Sequence, residues 1–170
     1  RTFAHVTAML DELGMNIMDA RIVPLANNRS IDTYIFMESD ERIDIDEYRI
    51  NEIQRSLTRI LSLGDEKALT VTRTITRQAR MFDTPTRVDF DSTTLGGQTV
   101  FELVTADRPG LLSRIGTVFM DQGINIASAK IMTIGERAED VFYISDLSGN
   151  PLTENTKSEL VEAILAKLVD

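Results

Sequence analysis

The 170-residue sequence predicts an α+β fold class in which two small modules of the same design follow one another. Three observations carry this. The segment Gly14-Met15-Asn16-Ile17 recurs as Gly123-Ile124-Asn125-Ile126, and Ala20-Arg21-Ile22 recurs in the same register as Ala129-Lys130-Ile131. Apolar residues at helical spacing precede each repeat. Alternating, β-branched runs that read as strands follow it.

Taken in order, the first helix of copy one shows Phe3, Val6, Leu10 and Leu13 on one stripe, and that of copy two Leu112, Ile115 and Phe119. A hairpin comes next in each, with Asp32-Thr33-Tyr34-Ile35-Phe36 corresponding to Asp140-Val141-Phe142-Tyr143-Ile144 and one more residue in the first loop. The second helices present Ile50, Ile53, Leu57 and Ile60 in one copy and Leu160, Ile164 and Leu168 in the other. A strand at Thr99 to Thr105 opens copy two, and one at Leu69 to Thr76 closes copy one. The pattern is βαββαβ, the split βαβ or ferredoxin-like arrangement, in which a sheet buries one face under two helices. Copy one lacks its opening strand and copy two its closing strand. The expected division is a first module over 1–76, a connecting segment over 77–97 and a second module over 98–170. Within that segment Thr86 to Asp91 alternates between Pro85 and Gly96-Gly97, and reads either as an ordered linker or as a strand filling a vacant sheet edge.

Composition narrows the function. At 42% apolar and 26% charged the chain is an ordinary globular one. Its net charge of −9 opposes a phosphate backbone, so nucleic acid is not an expected partner. No apolar run reaches the ~20 residues of a bilayer span, and Arg1-Thr2-Phe3 lacks a signal-peptide pattern. A cytoplasmic location is expected. With no cysteine there is no thiolate nucleophile or thiolate metal site. The single histidine, His5, reads as a surface residue of the first helix. Asp44-Ile45-Asp46 precedes a helix, where carboxylates suit the dipole. Asp89-Phe90-Asp91 stands before its glycines, not after them as a phosphate turn with metal carboxylates requires. No G-x-x-x-x-G-K-[ST] loop occurs. No catalytic residue, metal site or cofactor is expected in these residues.

Ligand chemistry concentrates at Asp107-Arg108-Pro109-Gly110-Leu111-Leu112, between a strand and a helix. Asp107 reads as an N-cap, Pro109 has no N–H to leave unpaired, and Gly110 permits close approach to the backbone. A helix start of this kind either ends the chain's own bookkeeping as a simple cap or offers its amides to an anion such as an amino-acid carboxylate. Asn125, with Asn16 as its counterpart, can donate and accept together, which suits a zwitterion and equally suits the turn after Gly123.

These residues, the repeated Gly-x-Asn-Ile and the stretch Gly135-Glu136-Arg137-Ala138-Glu139-Asp140-Val141-Phe142 resemble an ACT domain. With Asp19-Ala20-Arg21-Ile22 and Asp32-Thr33-Tyr34 added, nearly the whole chain is similar to the C-terminal ACT pair of the bifunctional uridylyltransferase and uridylyl-removing enzymes. The resemblance implies a regulatory fragment that senses glutamine and does not turn over substrate. In the parent enzyme it implies uridylylation and deuridylylation of the PII signalling protein, by upstream domains that use magnesium. Carried over, Asp107, Arg108, Pro109, Gly110, Leu111 and Leu112 line the ligand site with Asn125, Ile126 and Ala127. Copy one departs at Arg1-Thr2-Phe3, where the turn before its helix is absent, so its site is expected to be incomplete. The rival reading is ACT–ACT pairing or protein interaction through sheet edges with no small-molecule ligand.

Overall fold

A computed structural model describes residues 2–25, 29–40, 44–62, 84–95 and 97–168. Copy one supplies helix α1 (Thr2–Glu12), strands β1 (Met15–Leu25) and β2 (Arg29–Glu38), and helix α2 (Glu47–Ser62). Copy two supplies β4 (Gln98–Ala106), α3 (Leu111–Asp121), β5 (Ile124–Lys130), β6 (Thr133–Ile134), β7 (Arg137–Asp146) and α4 (Glu154–Leu168), with β3 (Arg87–Leu95) before it. The strand expected at Leu69 to Thr76 lies outside the described residues.

The seven strands among the described residues all belong to one sheet in the order β2-β1-β5-β7-β4-β3, with β6 paired to β7. The two modules therefore share a sheet, and the join is made by the repeat itself. β1 and β5 run antiparallel with Asp19 opposite Lys130, Ala20 opposite Ala129 and Arg21 opposite Ser128. Ala20 and Ala129 are counterparts in the repeat, so the pairing is centred on a pseudo-two-fold axis. Both are fully buried. Each hairpin also carries an irregularity at the same place, between Ile17 and Asp19 in β1 and between Ile126 and Ser128 in β5, which lets the strand re-aim its side chains.

The choice left open at Thr86 to Asp91 falls to a strand. β3 pairs antiparallel with β4, Arg87 opposite Val104 and Phe90 opposite Phe101. It covers the edge where the closing strand of copy two would run. Unpaired N–H and C=O groups along β4 provide the reason, because a buried edge is stable only when those groups are satisfied.

One core runs under both modules. Phe101, Phe119 and Phe142, almost wholly buried, meet edge-on at ring-centroid separations of 5.3 to 5.8 Å, and Phe3 of copy one reaches Phe142 at 6.3 Å. Above them α1 and α3 cross closely. A Cβ on Gly116 would stand 2.9 Å from Phe3 Cδ1 and 3.1 Å from Ala4 Cα, so only glycine permits this approach. Helices α1 and α3 end at Gly14 (φ 79°) and Gly123 (φ 66°), a left-handed stop that a residue without Cβ adopts at no steric cost. Arg49 on α2 then ties copy one together. It pairs with Glu38 of β2 at 2.7 Å and with Glu52 at 2.7 Å, and it donates to the Leu13 carbonyl at the end of α1. These acceptors hold its guanidinium firmly charged, with its pKa raised chiefly by the Glu38 hydrogen bond. Asp46, one of the acidic pair before α2, accepts the Arg49 N–H at 2.8 Å as a helix cap.

Candidate functional site

A cavity of about 460 Å³ opens at the seam between the modules. One wall is the β4–α3 turn of copy two, with Asp107, Arg108, Pro109, Leu111 and Leu112, and the other is the start of β1 in copy one, with Asn16, Ile17 and Met18. The antiparallel β1–β5 join creates this arrangement, since it carries each module's edge strand toward the other's helix start. Asp11 from α1 and Asp140 from β7 complete the charged lining.

The turn itself differs from the sequence expectation in one respect. Asp107 is not the cap of α3. The helix begins at Leu111 behind Gly110, which has φ 78° and no side-chain cap of its own. The Asp107 carboxylate instead accepts from Thr133 Oγ1 at 3.3 Å and from the Arg108 N–H. Loss of solvent raises its pKa above the ordinary value, and these two hydrogen bonds oppose the rise. Its own N–H donates to the Glu136 carbonyl at 2.9 Å. Two residues, Arg108 and Pro109, separate Asp107 from Gly110, and the left-handed glycine turns the chain so that the helix starts beyond the reach of the aspartate. The Gly110 N–H is held by the carboxylate of Asp11, across the seam from α1. An anion does sit at the start of α3, as the dipole and the exposed amides favour, and it comes from the first module.

The predicted site residues therefore separate. Asp107, Arg108, Pro109, Leu111, Leu112 and Asn16 share one cavity, with Gly110 behind it on Asp11. Asn125 and Ile126 line a different cavity, of about 160 Å³, together with Thr2, Ile22, Ser30 and Asp32. Asn125 also donates to the Asp146 carbonyl at 3.3 Å, the local role its position after Gly123 allows. Ala127, at the irregular step of β5, lines neither cavity. The two cavities are images of one another about the pseudo-two-fold axis: Asn16 answers to Asn125, and Asp140 to Asp32. In the sequence, Asn125 stands in the same copy as the Asp107 turn, but the join exchanges partners between copies.

Asp140 is the residue that the sequence reading of the site passed over. It is 1% exposed, accepts the Met132 N–H over a long 3.4 Å, and keeps Oδ2 buried without a partner. Burial pushes its carboxyl up to about 7, the Met132 hydrogen bond opposes this, and the Asp107 charge adds to it. A signal was present. Asp140 is in phase with Phe142 and Ile144, the inward face of an alternating strand, where an acid is out of place. His5 is half-buried on α1 and lines neither cavity. Asp89 lies on the outer face and pairs with Arg87 at 2.8 Å. Among the described residues no cluster of His, Cys, Asp and Glu fit to hold a metal occurs, and no helix is long and apolar enough to cross a membrane.

A duplicated ferredoxin-like unit with its cavity at the strand-to-helix turn defines a class, and comparison names it: residues 99–164 match the ACT domain. The chain is 39% identical over 153 residues to the bifunctional uridylyltransferase/uridylyl-removing enzyme of Stutzerimonas stutzeri, covering 89% of this chain and 17% of that protein. It is 38% identical over 151 residues to the enzyme of the same name from Acinetobacter baylyi, with 89% and 17% covered. The corresponding protein of Pseudomonas entomophila matches at 37% over 168 residues, 98% of this chain and 19% of the relative. The chain belongs to the ACT regulatory region of the uridylyltransferase/uridylyl-removing enzyme family. It spans about a fifth of the length of these curated relatives.

Proposed function

We propose that this chain is the amino-acid-sensing part of a bifunctional uridylyltransferase/uridylyl-removing enzyme, that its ligand is glutamine, and that the ligand occupies the larger seam cavity. The observation that carries the reading is the composition of that cavity, one wall from each module. A ligand touching both walls binds one relative placement of the modules better than another, which is the requirement for allosteric control. Coupling of this sort is typically about 1–3 kcal/mol, enough for a several-fold change in activity. The Asp11 carboxylate on Gly110 indicates how the ligand's own carboxylate is received: it competes for the same N–H, and success loosens the tie between α1 and α3.

In the parent enzyme, glutamine bound here favours removal of uridylyl groups from the PII protein over their addition. That chemistry belongs to other domains, with magnesium at their active site, in the cytoplasm. This chain holds the effector and leaves the catalysis to those domains.

Calorimetry tests the reading. L-Glutamine titrated to millimolar concentration into the folded chain gives saturable heat, Asn16→Ala weakens it at least several-fold, and Asn125→Ala leaves it nearly unchanged. Absence of heat from the folded chain refutes the reading. One observation favours a second role. Strand β2 ends the sheet among the described residues, and its Ile31, Ile35 and Met37 are more than half exposed, so pairing with another ACT unit is available there. Sedimentation separates the two, because pairing persists without glutamine.

A further inference from the structure

The Asp140 carboxyl lines the larger cavity from the inward face of β7 and has one oxygen with no partner. Removing a carboxylate from water without replacing its hydrogen bonds is costly, and native folds seldom tolerate it without a use. The same arrangement occurs twice. Asp32, the counterpart of Asp140, lines the smaller cavity and likewise keeps Oδ1 buried without a partner. At each seam the acid of one module shares the cavity with the asparagine of the other: Asp140 with Asn16, and Asp32 with Asn125. Packing accidents do not repeat at symmetry-related places on different side-chain backgrounds.

Resting on the reading of the larger cavity as an amino-acid seat, we infer that Asp140 receives the ligand's α-ammonium group, so that the ligand must carry a free ammonium and its binding expels a proton. The charged groups facing this position are Asp11 from α1 and Asp107 and Arg108 from the β4–α3 turn. Glu136, in the turn before β7, has a buried Oε2 without a partner and belongs to the same neighbourhood through its carbonyl bond to Asp107. Arg137 and Glu139 pair with each other on the opposite face of β7, as Lys130 and Asp19 do across the β1–β5 join. No histidine lines the cavity. The set is predominantly acidic, which suits a cation and leaves Asp140 partly protonated while the cavity is vacant. Since its carboxyl titrates at about 7, about half of the molecules carry that proton at neutral pH. An arriving ammonium needs the ionised form. The O–H bond of Asp140 breaks, its proton passes to buffer, and the carboxylate pairs with the ammonium.

The test is calorimetry of L-glutamine with the full chain at pH 6, 7 and 8, in buffers of different ionisation enthalpy. Binding is expected to be about tenfold weaker at pH 6 than at pH 8, with about half a proton released per ligand at pH 7. N-Acetyl-L-glutamine, which lacks the ammonium, is expected not to bind, and Asp140→Asn is expected to abolish the proton release and flatten the pH profile. Binding with no proton exchanged, or equal binding of the acetylated compound, overturns this inference and leaves the amino-acid seat standing. Failure of glutamine to bind at all three pH values overturns both. The proton count is read on the unaltered chain, so the outcome does not depend on whether the variant folds.

Discussion

The buried Asp140 carboxyl has a consequence for stability that is independent of any ligand. In the unfolded chain it titrates near 3.8, and in the fold near 7, because burial disfavours the charge. The folded state therefore binds this proton more tightly. The contribution of Asp140 to stability is fully present below about pH 3.8 and is lost as pH rises through about 7. At 1.36 kcal/mol per pH unit between the two, the ionised group costs about 4 kcal/mol at pH 8, and about 2 kcal/mol of this has already accrued by pH 5.5. Asp140→Asn keeps the shape and removes the ionisation. Urea denaturation of both proteins at pH 5.5 and pH 8, without ligand, isolates the effect, since every other titrating group is common to both. The variant is expected to gain about 2 kcal/mol on the natural chain between the two pH values, visible as a shift in midpoint at constant slope. If the stability difference is the same at both pH values, the carboxyl is not held in the environment described, and the inference from its burial fails with it.

Two further outcomes follow from contacts across the fold. Arg49→Ala leaves Glu38, whose side chain is 5% exposed, without its counter-charge and removes the clamp on the α1 carboxyl terminus; a loss of about 3 kcal/mol is expected in the same denaturation experiment. Asp11→Ala frees the Gly110 N–H, so that amide is expected to exchange its hydrogen faster, and glutamine is expected to bind several-fold more tightly once its carboxylate no longer has a competitor. Unchanged exchange at Gly110 would show that Asp11 does not hold it in solution.

Much of the architecture can be read from short-range pattern, because the forces that fix it are local. Alternation marks β2, β4 and β7, helical spacing marks α1 to α4, and Gly14 and Gly123 mark where the first helices stop. The repeat at Ala20 and Ala129 announces duplication. It does not announce that the two copies meet there, since nothing in a strand's own residues specifies which other edge it joins when both offer the same pattern. That single long-range choice decides the site. It brings Asn16 to the Asp107 turn and sends Asn125 elsewhere. The cap was misplaced for a related reason: Asp107 has the right residue type for an N-cap, yet the backbone at Gly110 delays the helix, and the vacant N–H is met by Asp11 from α1. The placement of β3 was legible as an option because an uncovered β4 edge is costly, although the alternation of Thr86 to Asp91 by itself is compatible with a solvated linker.

The join through Ala20 and Ala129 gives the molecule the geometry of a dimer written in one chain. Two identical subunits would be obliged to keep both seams alike, since any substitution would appear in each. A tandem duplication lifts that constraint. Here the two seams differ in their lining: Thr7 and Asp11 stand at one where their counterparts in the repeat, Gly116 and Met120, stand at the other. Division of labour between effector capture and structural support becomes accessible to single amino-acid changes, and the asymmetry gives this region a direction that a true dimer lacks.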